Sequence, residues 1–161
     1  MIKDCMILRT HSPEETRALG MVLGAALHAG DTVLLRGDMG AGKSELARGI
    51  AGGLGITGAV PSPSFTIMQQ YTKGRIPLYH FDCYRLSGAA EFYAMGMEEY
   101  IEADGIAMVE WPDRAEEAMP SRYLGIAIRQ EGEEDDRILD IVTRGGFKLT
   151  VKEEQLEHFS A

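Results

Sequence analysis

The pattern of apolar and polar positions along the chain predicts three helices. The first is predicted over residues 12–27, where Ser12 suits the N-cap and Pro13 suits the first helical position. The second is predicted over residues 43–55, because the glycines at the end of this segment fit a C-terminal cap. The third segment, residues 88–105, has a helical composition.

Short apolar runs between these segments predict β-strands. The predicted strands lie in residues 31–37, in residues 65–71, in residues 76–86, where the strand ends near Asp82, and in residues 105–114, where it stops at Glu110. A hairpin of two strands around an acidic turn spans residues 123–146. Because helices alternate with short strands, we expect an α/β three-layer sandwich with a mostly parallel central sheet and antiparallel edge strands. Residues 1–161 form one predicted domain, in which the tail after about residue 147 indicates only a short strand and a frayed helix.

Three glycines stand within six residues of each other in the segment RGDMGAGKSE, between a predicted strand and a predicted helix. Glycine tolerates the backbone angles that turn successive N–H groups toward an anion. The spacing GxxxxGKS in this context matches the P-loop of nucleotide-binding proteins, where the helix N-terminus also points at the phosphates. The predicted nucleotide-binding residues are Asp38, Met39, Gly40, Ala41, Gly42, Lys43 and Ser44.

Lys43 and Ser44 have separate predicted roles in this segment. Lys43 would reach the β- and γ-phosphates of ATP, and Ser44 would offer its hydroxyl to Mg²⁺. The expected fold is therefore a P-loop NTPase-like version of the three-layer sandwich. A flexible glycine turn is the alternative interpretation of the same residues.

Two acidic residues follow apolar strands, and we expect them at the ligand-binding edge of the sheet. Glu110 ends the run GIAMVE, and Asp82 follows IPLYHF. We assign Glu110 to Mg²⁺, directly or through water, and Asp82 to the attacking water or a bridging contact. Lys43, Asp82 and Glu110 are thus the predicted catalytic residues, and Ser44 and Glu110 the predicted metal ligands. The swapped assignment stays open, because the sequence does not show which strand adjoins the loop strand, and solvated carboxylates remain the plain alternative.

The segment SPSFT, residues 62–66, resembles a switch whose hydroxyls, Thr66 in particular, would sense the γ-phosphate. A turn rich in serine and proline explains the same letters equally well. Trp111 is the only tryptophan and fits either core packing or a surface contact. His80 fits a packed core residue or a functional one.

The net charge of −9 changes the list of possible partners. A surface this acidic repels phosphate backbones, so we expect no DNA binding, and contact with RNA only through another protein. No apolar run approaches the length of a membrane span, so we expect no membrane partner. Cys5 and Cys83 lie far apart and have no metal-ligand spacing, which fits two thiols in a reducing cytoplasm.

Three classes of nucleotide-binding protein compete for this sequence. A GTPase needs a guanine-reading loop, commonly Asn-Lys-x-Asp, and the chain contains no asparagine. A small-metabolite kinase fits the length and the loop, but it would normally carry an arginine-rich lid, and we find no clear one. The third class is a regulatory ATPase that hydrolyses ATP while docked to a partner.

Beyond single motifs, a series of segments resembles the TsaE family, also called YjeE, the ATPase of bacterial tRNA threonylcarbamoyladenosine synthesis. The resemblance covers roughly residues 10 to 145 and is carried by GDMGAGKSELARGIAGGLG, VPSPSFTIMQQY, YHFDCYRL, GMEEYI and MVEWPDR. It implies a P-loop fold, ATP, Mg²⁺ and action with the TsaB and TsaD proteins, where TsaD carries out the transfer to adenosine 37 of the tRNA. The tRNA would then be contacted only indirectly, through the complex.

The resemblance also implies roles for individual residues. Lys43 and Ser44 match the phosphate and metal positions, Asp82 the acid of the HFD motif, Glu110 the metal-side acid of VEWP, and Thr66 the switch-like threonine. By resemblance only, the segment from Thr10 to Thr16 would lie near the adenine. Two departures, Ser44 where threonine is more frequent and Cys83 at an often apolar place, leave the chemistry intact.

Overall fold

A computed structural model describes residues 4–160, so residues 1–3 and 161 of the predicted domain lie outside it. Residues 4–160 form a sheet of seven strands: β1 (Cys5–Thr10), β2 (Thr32–Arg36), β3 (Met68–Tyr71), β4 (Leu78–Asp82), β5 (Ile106–Glu110), β6 (Tyr123–Gln130) and β7 (Arg137–Arg144). The α-helices are α1 (Pro13–Ala25), α2 (Lys43–Gly53), α3 (Ala89–Ala94) and α4 (Glu153–Glu157), and two 3₁₀-helices span Met97–Tyr100 and Pro112–Ala118.

The strands lie in the order β1-β7-β6-β2-β5-β4-β3. The four central strands β6, β2, β5 and β4 run parallel, whereas β3 pairs antiparallel with β4 at one edge. At the other edge, the hairpin of β6 and β7 and the pairing of β7 with β1 are antiparallel. The predicted fold class is therefore confirmed as a mixed α/β sheet with mostly parallel central strands.

Helices cover both faces of this sheet. One face carries α1 and α2, which pack against each other and against apolar side chains such as Val33 and Leu35 of β2. The opposite face carries α3 and the two 3₁₀-helices, which enclose Leu34, Phe81 and Phe92. Neighbouring residues of β2 thus enter different cores, because side chains alternate along a strand. Among residues 4–160, no helix has the length and apolar character needed to cross a membrane.

The helix predicted over residues 88–105 was wrong beyond its first part. The α-helix ends at Ala94 because Gly96 takes a left-handed conformation (φ 71°), and Glu102 turns the chain again (φ 56°). The strand predicted from residue 65 begins only at Met68, because Ile67 also has a positive φ, 69°. A β-branched residue rarely adopts that angle, so the backbone immediately after the segment SPSFT is locally strained.

Both ends of the described chain are more ordered than their sequence indicated. No strand is predicted at β1 from the pattern of apolar residues, yet β1 pairs with β7 over six residues. Leu149, Val151 and Leu156 of the tail are buried in the core on the face of α1 and α2. Ser160 forms an isolated bridge with Leu8 of β1, so the tail closes back onto the edge strand.

Candidate functional site

The glycine-rich loop, residues 37–42, connects the end of β2 with the start of α2 in the middle of the sheet. Gly40 and Gly42 have φ angles of 80° and 107°, a left-handed conformation that favours glycine. A Cβ on Gly42 would also lie 3.2 Å from the Ile128 side chain. Gly42 is the N-cap of α2 and offers no side chain to it, so the first N–H groups of this helix have no side-chain cap.

The two strand-end acids lie next to each other at the same edge of the sheet. Asp82 is directly opposite Glu110 in the parallel pair of β4 and β5, and Glu110 is opposite Leu35 in the pair of β5 and β2. Both acids are buried, with 4% and 3% of their surface exposed. Glu110 therefore ends β5, the strand next to β2, which leads into the glycine-rich loop. Asp82 ends β4, one strand further away. The sequence could not show this order.

A cavity of about 440 Å³ separates the glycine-rich loop from the acids. Seven of the predicted site residues line it: Met39, Gly40, Gly42, Lys43, Ser44, Asp82 and Glu110. Asp38 and Ala41 line a second cavity of about 330 Å³ on the same loop, together with Met39 and Gly40. Thr66 lines neither cavity: it is exposed, and its hydroxyl accepts a hydrogen bond from the side chain of Gln69 at 3.1 Å.

Two serines of the segment SPSFT reach the acids instead. The Ser62 hydroxyl donates to Asp82 Oδ2 at 3.1 Å and lies 3.4 Å from Glu110 Oε2, and the Ser64 hydroxyl donates to Asp82 Oδ2 at 3.3 Å. The backbone N–H of Tyr84 donates to Asp82 Oδ1 at 2.9 Å. Asp82 is thus held on both oxygens, and the switch-like segment is tied to the carboxylates through serines.

The Lys43 side chain contacts both the glycine-rich loop and Trp111. Its ammonium donates to the Gly37 carbonyl and lies 4.0 Å from the centre of the Trp111 ring, a cation–π contact. Burial lowers the pKa of Lys43, and the charges of Glu110, Asp82 and Asp38 oppose that shift. These contacts are ones that a phosphate group could replace, because each is a single electrostatic contact to the same ammonium.

At the rim of the cavity, next to the lining residues Ser64 and Trp111, aromatic side chains pair with arginines. Trp111 meets Tyr84 edge to face at 4.9 Å, and the guanidinium of Arg114 lies 4.9 Å from the Tyr84 ring. The Arg85 guanidinium stacks over Phe65 at 4.4 Å, although 83% of the Phe65 surface remains exposed. The rim is therefore both apolar and locally cationic on a chain whose net charge is −9.

Sequence reasoning left three contacts of the site unassigned. His80 is fully buried, and its Nε2 lies 2.7 Å from Glu110 Oε2. Since His80 stands two residues before Asp82 on the same strand, strand alternation alone would have placed both on one face. No comparable pattern in the sequence predicts the contact between Lys43 and Trp111. The same is true of Arg137 on β7, whose Nε donates a hydrogen bond to the Ala41 carbonyl at 2.8 Å.

Comparison with known proteins gives one consistent family. Residues 10–139 match the family described as "Threonylcarbamoyl adenosine biosynthesis protein TsaE". A tRNA threonylcarbamoyladenosine biosynthesis protein TsaE from Bacillus subtilis is 39% identical over 145 residues, 90% of each chain. Its counterpart from Nostoc is 42% identical over 132 residues, 80% of each chain. The crystal structure of Bacillus subtilis YdiB superposes with a TM-score of 0.77 at 39% identity, over 90% of this chain and 88% of that one.

Proposed function

The chain belongs to the TsaE family and takes part in the biosynthesis of threonylcarbamoyladenosine in tRNA, and from that premise we propose that it is an ATPase. It binds ATP with Mg²⁺ at the glycine-rich loop and hydrolyses the ATP while bound to TsaB and TsaD. One observation carries this proposal: the loop, the N-terminus of α2 and two buried carboxylates face a single cavity of about 440 Å³.

The phosphate-binding half of the site is made by the loop and by α2. The left-handed angles at Gly40 and Gly42 bend the chain so that backbone N–H groups are available to an anion. The uncapped N-terminus of the eleven-residue helix α2 adds its partial positive charge. Lys43 would exchange the Gly37 carbonyl and the Trp111 ring for the β- and γ-phosphates.

The metal-binding half fits the ligand preference of Mg²⁺, which takes one or two protein oxygens beside phosphates and waters. Glu110 Oε2 is engaged by His80 and Ser62, but Oε1 makes no hydrogen bond with any residue from 4 to 160. Ser44 lines the same cavity, and its hydroxyl is likewise unbonded within this range. A bound Mg²⁺ would neutralise charge on the β- and γ-phosphates. Ser44 and Glu110 are therefore the proposed ligands.

Asp82 is suited to orient the water that attacks the γ-phosphate. Ser62, Ser64 and the N–H of Tyr84 fix its carboxylate in one orientation. Phosphoryl transfer depends mainly on positioning and on electrostatic stabilisation, so a fixed acceptor beside the nucleophile is useful even without strong basicity. Lys43 would stabilise the charge that develops on the transferred group.

Substitution of Lys43 by methionine tests nucleotide binding. Charge-assisted hydrogen bonds contribute about 1.5–3 kcal/mol each, so we expect the Kd for ATP with Mg²⁺ to rise about 10- to 150-fold in calorimetry. Lys148→Met is the matched control, because Lys148 is exposed and remote from the cavity. Equal affinity of both variants would refute the proposed phosphate site.

Hydrolysis is tested separately with Asp82→Asn, which keeps the size of the side chain. We expect ATP affinity close to that of the unchanged protein and a large fall in phosphate release in the presence of TsaB and TsaD. Hydrolysis at the parental rate would contradict the role of Asp82. If phosphate passed to a metabolite without any partner protein, the small-metabolite kinase would be the correct class instead.

The rim formed by Phe65, Tyr84, Arg85, Trp111 and Arg114 is the proposed contact with the partner proteins. It joins exposed aromatic area to two cations beside the cavity, so docking there would couple the partner to the nucleotide. The acidic remainder of the chain is unsuited to hold tRNA directly. We expect Trp111→Ala to weaken co-purification with TsaB and TsaD and to reduce reconstituted tRNA modification; undiminished co-purification would place the contact elsewhere.

A further inference from the structure

His80 is a fully buried polar side chain that the proposed hydrolysis does not use directly. It lies on β4, and 1% of its side chain and 4% of the Glu110 side chain are exposed. The two side chains meet at 2.7 Å between Nε2 and Oε2. The other ring nitrogen, Nδ1, is buried and has no hydrogen-bond partner among residues 4–160.

The hydrogen bond has a defined direction. An ionised carboxylate only accepts hydrogen bonds, so toward a charged Glu110 the Nε2–H of His80 is the donor. A ring held by one hydrogen bond and otherwise surrounded by the core gives Glu110 a donor in a fixed place. Only 1% of the His80 side chain is exposed, so water has little access to this donor.

The sheet geometry explains why His80 can reach Glu110 and not the loop. His80 and Asp82 point to the same face of β4, and Glu110 points to that face of the adjacent strand β5, opposite Asp82. The second contact to Oε2, from Ser62, is longer at 3.4 Å, and Ser62 also serves Asp82. The hydrogen bond from His80 is thus shorter than the one from Ser62, and it is the more buried of the two contacts to the Glu110 carboxylate.

A cation that competes for that carboxylate lines the same cavity. Lys43 and Glu110 both line it, and the Glu110 charge acts on the Lys43 ammonium, since opposite charges attract each other at short range. A direct ion pair would take Lys43 from the phosphates and Glu110 from the cation. The hydrogen bond from His80 holds Oε2 at the sheet and leaves Oε1 open.

We propose that His80 is a positioning residue for the divalent cation: it fixes Oε2 of Glu110 so that Oε1 remains available as a metal ligand. This inference rests on the proposed function, because it assumes that the site takes ATP with Mg²⁺. A purely structural role of His80 would concern stability and not metal binding, and replacing a buried polar pair by apolar residues is often neutral for stability.

The test separates the donor from the bulk of the ring. His80→Gln places an amide donor near the position of Nε2, and His80→Met fills similar space with no donor. The measured quantity is the affinity of Mn²⁺ for the complex of each variant with adenylyl imidodiphosphate, followed by electron paramagnetic resonance. Nucleotide affinity in EDTA and thermal unfolding report whether the loop and the fold are intact.

We expect His80→Met to weaken Mn²⁺ binding about 10- to 100-fold, as is usual when a residue that orients a metal ligand is lost. His80→Gln should restore most of that affinity, and nucleotide binding in EDTA should stay unchanged in both. In a Glu110→Gln background, the further change His80→Met should have little additional effect on Mn²⁺ affinity.

Three results would overturn the inference. Unchanged Mn²⁺ affinity in His80→Met, with intact nucleotide binding in the parent, would reject the positioning role alone. Equal losses in His80→Gln and His80→Met would assign the effect to the shape of the ring and reject the hydrogen bond. If the unchanged protein bound adenylyl imidodiphosphate without any effect of Mn²⁺, the proposed function would fail and this inference with it.

Discussion

Helices α1 and α2 approach each other through glycines, and this contact gives a sharp prediction about stability. A Cβ added to Gly49 of α2 would lie 2.2 Å from the Arg17 carbonyl oxygen and 3.0 Å from the Cα of Gly20, both backbone atoms of α1. Gly52 lies one turn further along α2, where a Cβ would meet only the flexible side chain of Met21, at 3.5 Å. The pair Gly49→Ala and Gly52→Ala therefore compares a blocked position with an open one in the same helix.

The magnitude follows from two opposing effects. To restore an ordinary contact at Gly49, the helices must move apart by about 1 Å, which disturbs the packing of Leu19, Leu23 and Ile50 between them. Overpacking of this kind costs about 1–3 kcal/mol, and the better helix propensity of alanine returns up to about 1 kcal/mol. We expect Gly49→Ala to destabilise the protein by about 1–2 kcal/mol, and Gly52→Ala to stabilise it by up to about 1 kcal/mol.

Thermal unfolding followed by circular dichroism measures both variants. At about 2–4 °C per kcal/mol for a chain of this size, the Tm of Gly49→Ala should fall by about 2–8 °C, and that of Gly52→Ala should be unchanged or slightly higher. A Tm for Gly49→Ala equal to that of Gly52→Ala would refute the close backbone approach. Because α2 begins at Lys43, a shift of this helix should also weaken nucleotide binding in Gly49→Ala only.

Three further predictions concern other parts of the fold. Burial raises the pKa of Cys83 to about 12, assisted by the Asp82 charge, so at pH 8 Ellman's reagent should titrate one thiol, the exposed Cys5, and a second only after unfolding. The hydrogen bond to Asp104, with burial, raises the pKa of Tyr79 from 10.0 to about 12. The folded state therefore keeps this proton to a higher pH than the unfolded state, and stability should be lost as the pH rises from about 10 to 12. In urea titrations, Tyr79→Phe should lessen that loss. The Arg75 guanidinium donates to the carbonyls of Gly24, Ala25 and Leu27 at the end of α1, so Arg75→Met should lower the free energy of unfolding by about 1 kcal/mol; an unchanged urea midpoint would contradict that.

Much of the site could be predicted from local sequence, because its parts follow chain order. The interpretation of the glycines as a phosphate-binding loop required a strand before the loop and a helix after it. Both elements are present, as β2 and α2. The acids had to end strands, and both do, at Asp82 and Glu110. Their roles as nucleotide and metal ligands stay predictions.

The remaining contacts could not be predicted because they join residues far apart in sequence. The strand order decides that β5 and not β4 adjoins β2, and hence which acid lies nearer the loop strand. The same order brings Arg137 of β7 against the Ala41 carbonyl. Ser62 and Ser64 reach the carboxylates, whereas Thr66 contacts Gln69, and these contacts depend on how the segment folds back over the ends of β4 and β5.

The sequence by itself determined the alternation of helices and strands, the spacing of the glycine-rich loop and the acidic residues at strand ends, because each depends on backbone propensity and on residues close in the chain. Only the tertiary structure decided which charges share a cavity, that Lys43 lies on Trp111, and that His80 holds Glu110. Those contacts depend on which parallel strands pair with each other across long crossovers. The register of the strands is set by the burial of whole strand faces against helices, and no local sequence pattern encodes it.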